Sequence, residues 1–367
     1  MFQCQYAHHC SRLLLLVAFV FSSFLGGCGD DGATGDNAAG SGGDGDAGGG
    51  AAGSTPGGLS GGAGGSSGAA GADEAGAGGS TGGGNTAPLY GYFDVTLNPA
   101  LDEAGTAAST GVIGKVYDGA VPVPVTLQQK QEAGSCKLLT PMPVFCSPTC
   151  TGGAVCVTEN TCMPAPTAKT VGTVTVTGLG SSAISMNPIA NNYQPPAGTT
   201  IPYPGCTPGS ELKLEAAGGE HSPFTLTTTC VAPLEAATSI EIVRGQALML
   251  QWNAAADASK SKVDVVIDIS QHGTSKGRIE CELPDTGSHA VPATLIDALV
   301  DLGFSGFPTV LLTRESESVA GAGGQSNVKF RVKAPFRQAI EIEGLTSCNS
   351  DDNCPQGQTC QADLKCQ

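Results

Sequence analysis

Eight cysteines constrain this chain more than any other feature, because they come as two copies of one spacing. Cys146, Cys150, Cys156 and Cys162 form the first set, and Cys348, Cys354, Cys360 and Cys366 the second. The last three of each set share C-x2-G-x2-C-x5-C, with Gly153 and Gly357 in register. Only the first gap differs, three residues in one set and five in the other. Four cysteines so close together fold a segment either around a zinc ion or through two disulfides. The C-x2-C knuckle of zinc sites is absent, so each set is expected to close as a small two-disulfide knot. Spacing alone leaves three pairings open for each.

The N-terminus bears on the redox compartment. Arg12 supplies positive charge, and residues 13–25 (LLLLVAFVFSSFL) are an uncharged run of 13 residues. That is too short for a membrane-spanning helix, which needs about 20 residues, and fits the apolar core of an export signal. Leu25-Gly26-Gly27-Cys28 follows and resembles the lipobox of bacterial lipoproteins. The resemblance implies that residues 1–27 are removed, that Cys28 becomes the acylated first residue, and that the membrane is a partner through its lipid. More than one acyl chain is what makes such an anchor stable. Cys4, His8, His9 and Cys10 have the chemistry of metal ligands but fall in the segment expected to be removed.

Residues 28–87 join this cysteine to the rest. Glycine occupies 25 of the 59 positions from 29 to 87, with no lysine, arginine or aromatic residue. Such a composition cannot bury enough apolar surface to offset its ordering entropy and predicts a flexible coil. Its r.m.s. reach would be about 40–45 Å. Gly78-Gly79-Ser80-Thr81-Gly82 matches G-x-S-x-G, but that nucleophile motif needs a strand before it and a helix after it.

From residue 88 to 345 the pattern changes to period two, which predicts half-buried antiparallel strands. Phe93, Val95 and Leu97 alternate with Asp94 and Thr96. Val174 and Val176 alternate with threonines. Leu248, Leu250 and Trp252 share a face, as do Val263, Val265, Ile267 and Ile269. Val328, Phe330 and Val332 oppose Lys329, Arg331 and Lys333, a basic stripe that reads as a solvated strand face. Ile340 and Ile342 oppose Glu341 and Glu343. One segment reads as helix, with Pro292 in its first turn, Leu295, Ile296, Leu299 and Leu302 inward, and Gly303 closing it. The expected fold is mainly β, an antiparallel sandwich of immunoglobulin-like or jelly-roll type with one short helix. A cysteine-rich insert at 136–162 and a module at 346–367 complete it.

Outside the two sets, Cys206 and Cys230 flank a strand-rich stretch and are a candidate pair. Cys281 shares a face with Ile279 and Leu283, and Cys136 is its default partner, although Cys136 lies close to the first set. The segments GQALMLQW (245–252), VDVVIDISQHG (263–273), KGRIECELPDTGS (276–288) and VPATLIDAL (291–299), with the closing cysteine module, resemble a group of myxobacterial exported proteins of unknown function. That resemblance implies an extracytoplasmic place in the cell envelope, with the outer membrane favoured, and supplies no activity.

Leu283-Pro284-Asp285-Thr286-Gly287-Ser288 carries D-T-G-S, which resembles the active-site turn of aspartic proteases. Those enzymes need two adjacent carboxylates, and no second copy exists, so a turn is the simpler reading. The L-P-x-T-G sorting signal in the same stretch lacks the apolar segment and basic tail that should follow. His221, His272 and His289 have no metal-ligand spacing and sit in expected loops. Asn349, Asp351 and Asn353 begin like a calcium loop, but cysteines stand at its sixth and twelfth positions, which leaves Asp351 and Asp352 as acids of a loop. Tyr193 and Tyr203 are the candidate platforms for a glycan, although packing tyrosines are the favoured reading. The net charge of −16 argues against nucleic acid as a partner. The expected function is therefore a non-catalytic surface lipoprotein with a binding or envelope-structural role, whose ligand is an extracellular protein or glycan. The alternative is an extracytoplasmic hydrolase of polymers with Asp285 as its acid. No catalytic, metal or cofactor residue is assigned.

Overall fold

The computed structural model describes residues 89–101, 105–236, 239–270, 276–319 and 327–367. The export segment, Cys28, the glycine-rich stretch and His272 lie outside the described residues. Among the described residues, no helix is long and apolar enough to cross a membrane.

The period-two segments form the strands of a mainly β, sandwich-like body. Its base is a ten-stranded sheet. The order is Asn192–Tyr193, Ser109–Tyr117, Tyr90–Asn98, Asn327–Ala339, Thr309–Val319, Lys262–Asp268, Arg278–Pro284, Cys136–Pro141 and Leu127–Ala133. Ala168–Lys169 also pairs with Ser109–Tyr117. Neighbours in this sheet are antiparallel except Tyr90–Asn98 and Asn327–Ala339, which run parallel with Phe93 opposite Phe330. That exception joins the first strand of the body to its last long one, a pairing that no local turn can make.

One face of the sheet is apolar and covered by two different layers. Over one part lies a four-stranded sheet, ordered Phe224–Thr229, Glu211–Ala216, Val174–Thr177 and Ile184–Met186, whose first strand meets Thr309–Val319 and Asn327–Ala339. Over the other lies the helix Ala293–Asp301, which meets Cys136–Pro141 and Arg278–Pro284. Val291, Leu295, Ile296 and Leu299 are fully buried there. Pro292 stands at the helix N-cap and Gly303, at φ 79°, just beyond its C-cap, as the sequence pattern requires. Each fully buried Val, Leu, Ile or Phe contributes about 1.5–3 kcal/mol before entropy is counted. The two layers and the base sheet share one continuous core.

Phe93 shows how tightly the layers meet. Its ring lies across Gly114 of the neighbouring strand, where an added Cβ would sit 2.2 Å from the ring. The ring packs on Tyr193 at a centroid distance of 5.3 Å. The Tyr193 hydroxyl accepts from the Val171 amide at 2.7 Å and donates to the Gly172 carbonyl at 3.2 Å. Tyr193, a candidate glycan platform for which packing is the favoured reading, is a core residue, its hydroxyl finding backbone partners where its ring is buried.

All twelve cysteines of the described residues are disulfide-bonded. Cys136 bonds Cys281 across adjacent strands of the base sheet, and Cys206 bonds Cys230. Cys136 thus belongs to the large sheet, and the first small module comprises Cys146 to Cys162. In that module Cys146 bonds Cys156 and Cys150 bonds Cys162. In the second, Cys348 bonds Cys360 and Cys354 bonds Cys366. Both connect first to third and second to fourth. Gly153 and Gly357 have φ of 77° and 90°, and Asn160 and Leu364, each four residues past the third cysteine, have φ of 56° and 63°. The repeated spacing is therefore a repeated backbone path. Three sulfurs of each set converge within 4.8 Å because two disulfides lie side by side.

Candidate functional site

The chemistry-bearing residues fall in three places: a buried ion pair, isolated histidines, and the outward face of the base sheet. The ion pair is Arg314 with Asp285. Arg314 follows Val310 and Leu312 on the inward side of its strand, and both members of the pair are 0% exposed. Arg314 Nε donates to Asp285 Oδ2 at 2.6 Å and Nη2 donates to Oδ1 at 3.0 Å. Trp252 Nε1 donates to Oδ1 at 2.9 Å, and Ser261 Oγ donates to Oδ2 at 2.6 Å. The remaining guanidinium hydrogens reach the carbonyls of Ala232, Pro233 and Asn253.

Burial alone pushes the Asp285 carboxyl up. The hydrogen bonds from Arg314, Ser261 and Trp252, with the charge of Arg314, outweigh that and hold it below the usual carboxylate range. A carboxylate so depressed and so enclosed holds no proton to donate at neutral pH and meets no substrate. The D-T-G-S turn joins Arg278–Pro284 to the short strand Ser288–Val291, with Gly287 at φ 92° accepting from the Trp252 amide at 2.8 Å. Asp285, the acid of the hydrolase alternative, is a structural anchor. With Arg314 it ties the base sheet to the loop that leaves Phe224–Thr229 and to the segment holding Trp252, Asn253 and Ser261.

The histidines do not join it. His289 lies 3.6 Å from Cys136 Sγ, and burial lowers its pKa. His221 is buried, with Nδ1 unpartnered. Two open grooves exist elsewhere. One, of about 430 Å³, is lined by Leu179, Ser182, Ile184, Thr199 and Ile201 with their neighbours and carries no titratable side chain. The other, of about 410 Å³, runs along Glu241, Pro308, Ile340, Glu343 and Thr346. Neither is lined by Asp285, His221 or His289. Asp351 Oδ1 accepts from the Cys360 amide at 2.8 Å, so it fastens the second module.

The outward face is the chemically rich surface. Strand register sets Tyr90 beside Tyr117, Tyr92 between Lys115 and Lys329, Asp94 between Ile113 and Arg331, and Thr96 beside Lys333. Arg331 grips Asp94 with two hydrogen bonds, 2.7 and 2.9 Å, and Lys333 adds a third at 2.8 Å. Arg331 also lies 5.7 Å from the centre of the Tyr92 ring, and Lys115 Nζ is 5.7 Å from that of Tyr117. Lys329 meets Glu317 at 3.0 Å. Burial, with Tyr117 and Asp94 nearby, raises the Tyr92 phenol against the opposite pull of Arg331, so it stays a neutral donor. The stripe Lys329, Arg331, Lys333, expected as a solvated face, is half-buried and networked. Tyr90, Tyr92 and Tyr117 were not singled out by motif. Their signal was parity, since even positions of the first strand oppose the buried odd ones.

No family model matches the chain, and no curated protein matches it. Among solved structures, the FN1–FN3 domains of chicken CNTN1 are similar at 9% identity, covering 65% of this chain and 70% of that one with a TM-score of 0.17. At that score the likeness carries no weight beyond a shared β character.

Proposed function

We propose that this chain is a lipid-anchored protein of the bacterial envelope that works outside the cytoplasm by binding rather than by catalysis. The cysteine inventory carries the reading. The twelve cysteines after Cys28 close on one another, as favoured in an oxidising compartment. Cys28 is left over at the one position with lipobox spacing. The glycine-rich stretch behind it gives a disulfide-locked body room to work at a distance from the bilayer. The Tyr92–Arg331 surface supplies that body with aromatic and cationic groups of the kind enriched at recognition surfaces.

Fractionation of a bacterial host tests this. The wild-type chain is expected in the membrane pellet, released by detergent and not by salt. Cys28→Ala is expected to lose the lipid-dependent retention. Equal distribution of the two between pellet and detergent extract would contradict the reading.

A further inference from the structure

We propose that the outward sheet face around Tyr92, Lys115 and Tyr117 binds an extended, carboxylate-bearing polysaccharide; this rests on the binding reading above. Shape favours an extended ligand. A small molecule takes a concave pocket, whereas this face is a sheet surface, and both grooves lie elsewhere. Tyr90 and Tyr92 repeat along one strand at about 6.6 Å, and Tyr117 stands on the adjacent strand beside them. A polymer lying along the strands meets successive rings, each with a flat apolar face and a hydroxyl.

Charge selects the polymer. Arg331 and Lys333 share the carboxylate of Asp94, and Glu317 and Glu315 stand opposite them on the next strand. Lys115 has no carboxylate partner among the described residues, its one recorded contact being the Tyr117 ring. Lys115 is therefore the cation of this face left for an added carboxylate, and it stands beside the tyrosines. At physiological salt the screening length is about 8 Å, so a polymer in contact feels Lys115 more than the distant acids of the chain. A uronate polymer carries a carboxylate on every sugar or every second sugar, which fits a sparsely cationic surface. Nucleic acid carries about one charge per 1.7 Å of duplex and is repelled by the acidic remainder.

The test uses the full mature chain in detergent micelles, with affinity electrophoresis against polygalacturonate, alginate and hyaluronate. Methyl-esterified polygalacturonate is the uncharged control on the same backbone, and single-stranded DNA the other polyanion. Binding to at least one uronate polymer is expected, weakened about tenfold or more by esterification, by Lys115→Gln and by Tyr117→Ser, and falling with salt. Both substitutions are on the surface, and unchanged melting temperatures will confirm the fold. Failure to bind any uronate polymer, equal binding after esterification, indifference to both substitutions, or equal binding of DNA would each overturn the proposal. Tight binding to the esterified polymer would do so while leaving the binding reading intact. Loss of membrane retention without Cys28 tests the anchored reading separately.

Discussion

The module Cys146–Cys162 and the module Cys348–Cys366 close the same crossed disulfides but sit differently on the body. In the second, Cys348 is 1% exposed and its amide donates to the Leu364 carbonyl. The Gly306 amide donates to Asp363 O at 2.8 Å, Ser347 Oγ donates to Gly306 O at 2.8 Å, and Lys365 Nζ stands 5.1 Å over the Phe304 ring. In the first, no cysteine is buried, and Phe145 is 73% exposed. Its attachment includes the Val125 amide on the Val157 carbonyl at 2.8 Å. Disulfides and positive-φ turns thus set the shape of a module, while flanking residues set whether it shares the body's stability.

The strongest way to probe this contrast touches neither module. Replacing Arg314 by Met leaves Asp285 buried and uncompensated, at a cost of about 3–5 kcal/mol. In urea denaturation the body should lose that much. Hydrogen exchange should show the C-terminal module opening with the body while the Cys150–Cys162 hairpin keeps its own protection. Next come the matched disulfide deletions. Cys354→Ala with Cys366→Ala should lower the body's stability by about 2–4 kcal/mol. Cys150→Ala with Cys162→Ala should unfold its module and leave the body's midpoint unchanged. Equal effects on the body would erase the distinction. Lys365→Ala should cost about 0.5–1 kcal/mol through the lost cation–π contact, read as a small shift in the same midpoint.

The smallest effects are those of pH. The Asp285 carboxyl is depressed in the folded state, so its contribution is complete above the unfolded value of about 3.9 and is lost as pH falls toward the folded value. His289 is also depressed, so the folded state disfavours its protonated form. Stability should slip slightly as pH drops through about 6.5. Denaturation midpoints between pH 7 and 2 check both, with the steep loss expected only at the acid end. A steep loss near pH 6 would mean that His289, not Asp285, dominates.

Much of the body was legible because period two is local. Val263, Val265 and Ile267, or Val328, Phe330 and Val332, declare their inward side without reference to any partner. Pro292 and Gly303 likewise bracket the helix by their own backbone limits. Arg314 was not legible in that way. Parity places it with Val310 and Leu312, but its burial is tolerable only because Asp285, Trp252 and Asn253 arrive from other segments. The packing expected of Tyr193 comes without its partners: Val171 and Gly172, which hydrogen-bond its hydroxyl, are 22 and 21 residues away. The face around Tyr92 depends on the parallel pairing of strands more than 200 residues apart, which no local pattern encodes.

Where the mature chain begins, and what its first residue carries, decides whether the body is lipid-anchored. Mass spectrometry of the N-terminal peptide from the membrane fraction should find Cys28 as the first residue, bearing acyl groups. A peptide that reads through residues 26–28 intact, or an unmodified Cys28, would contradict it.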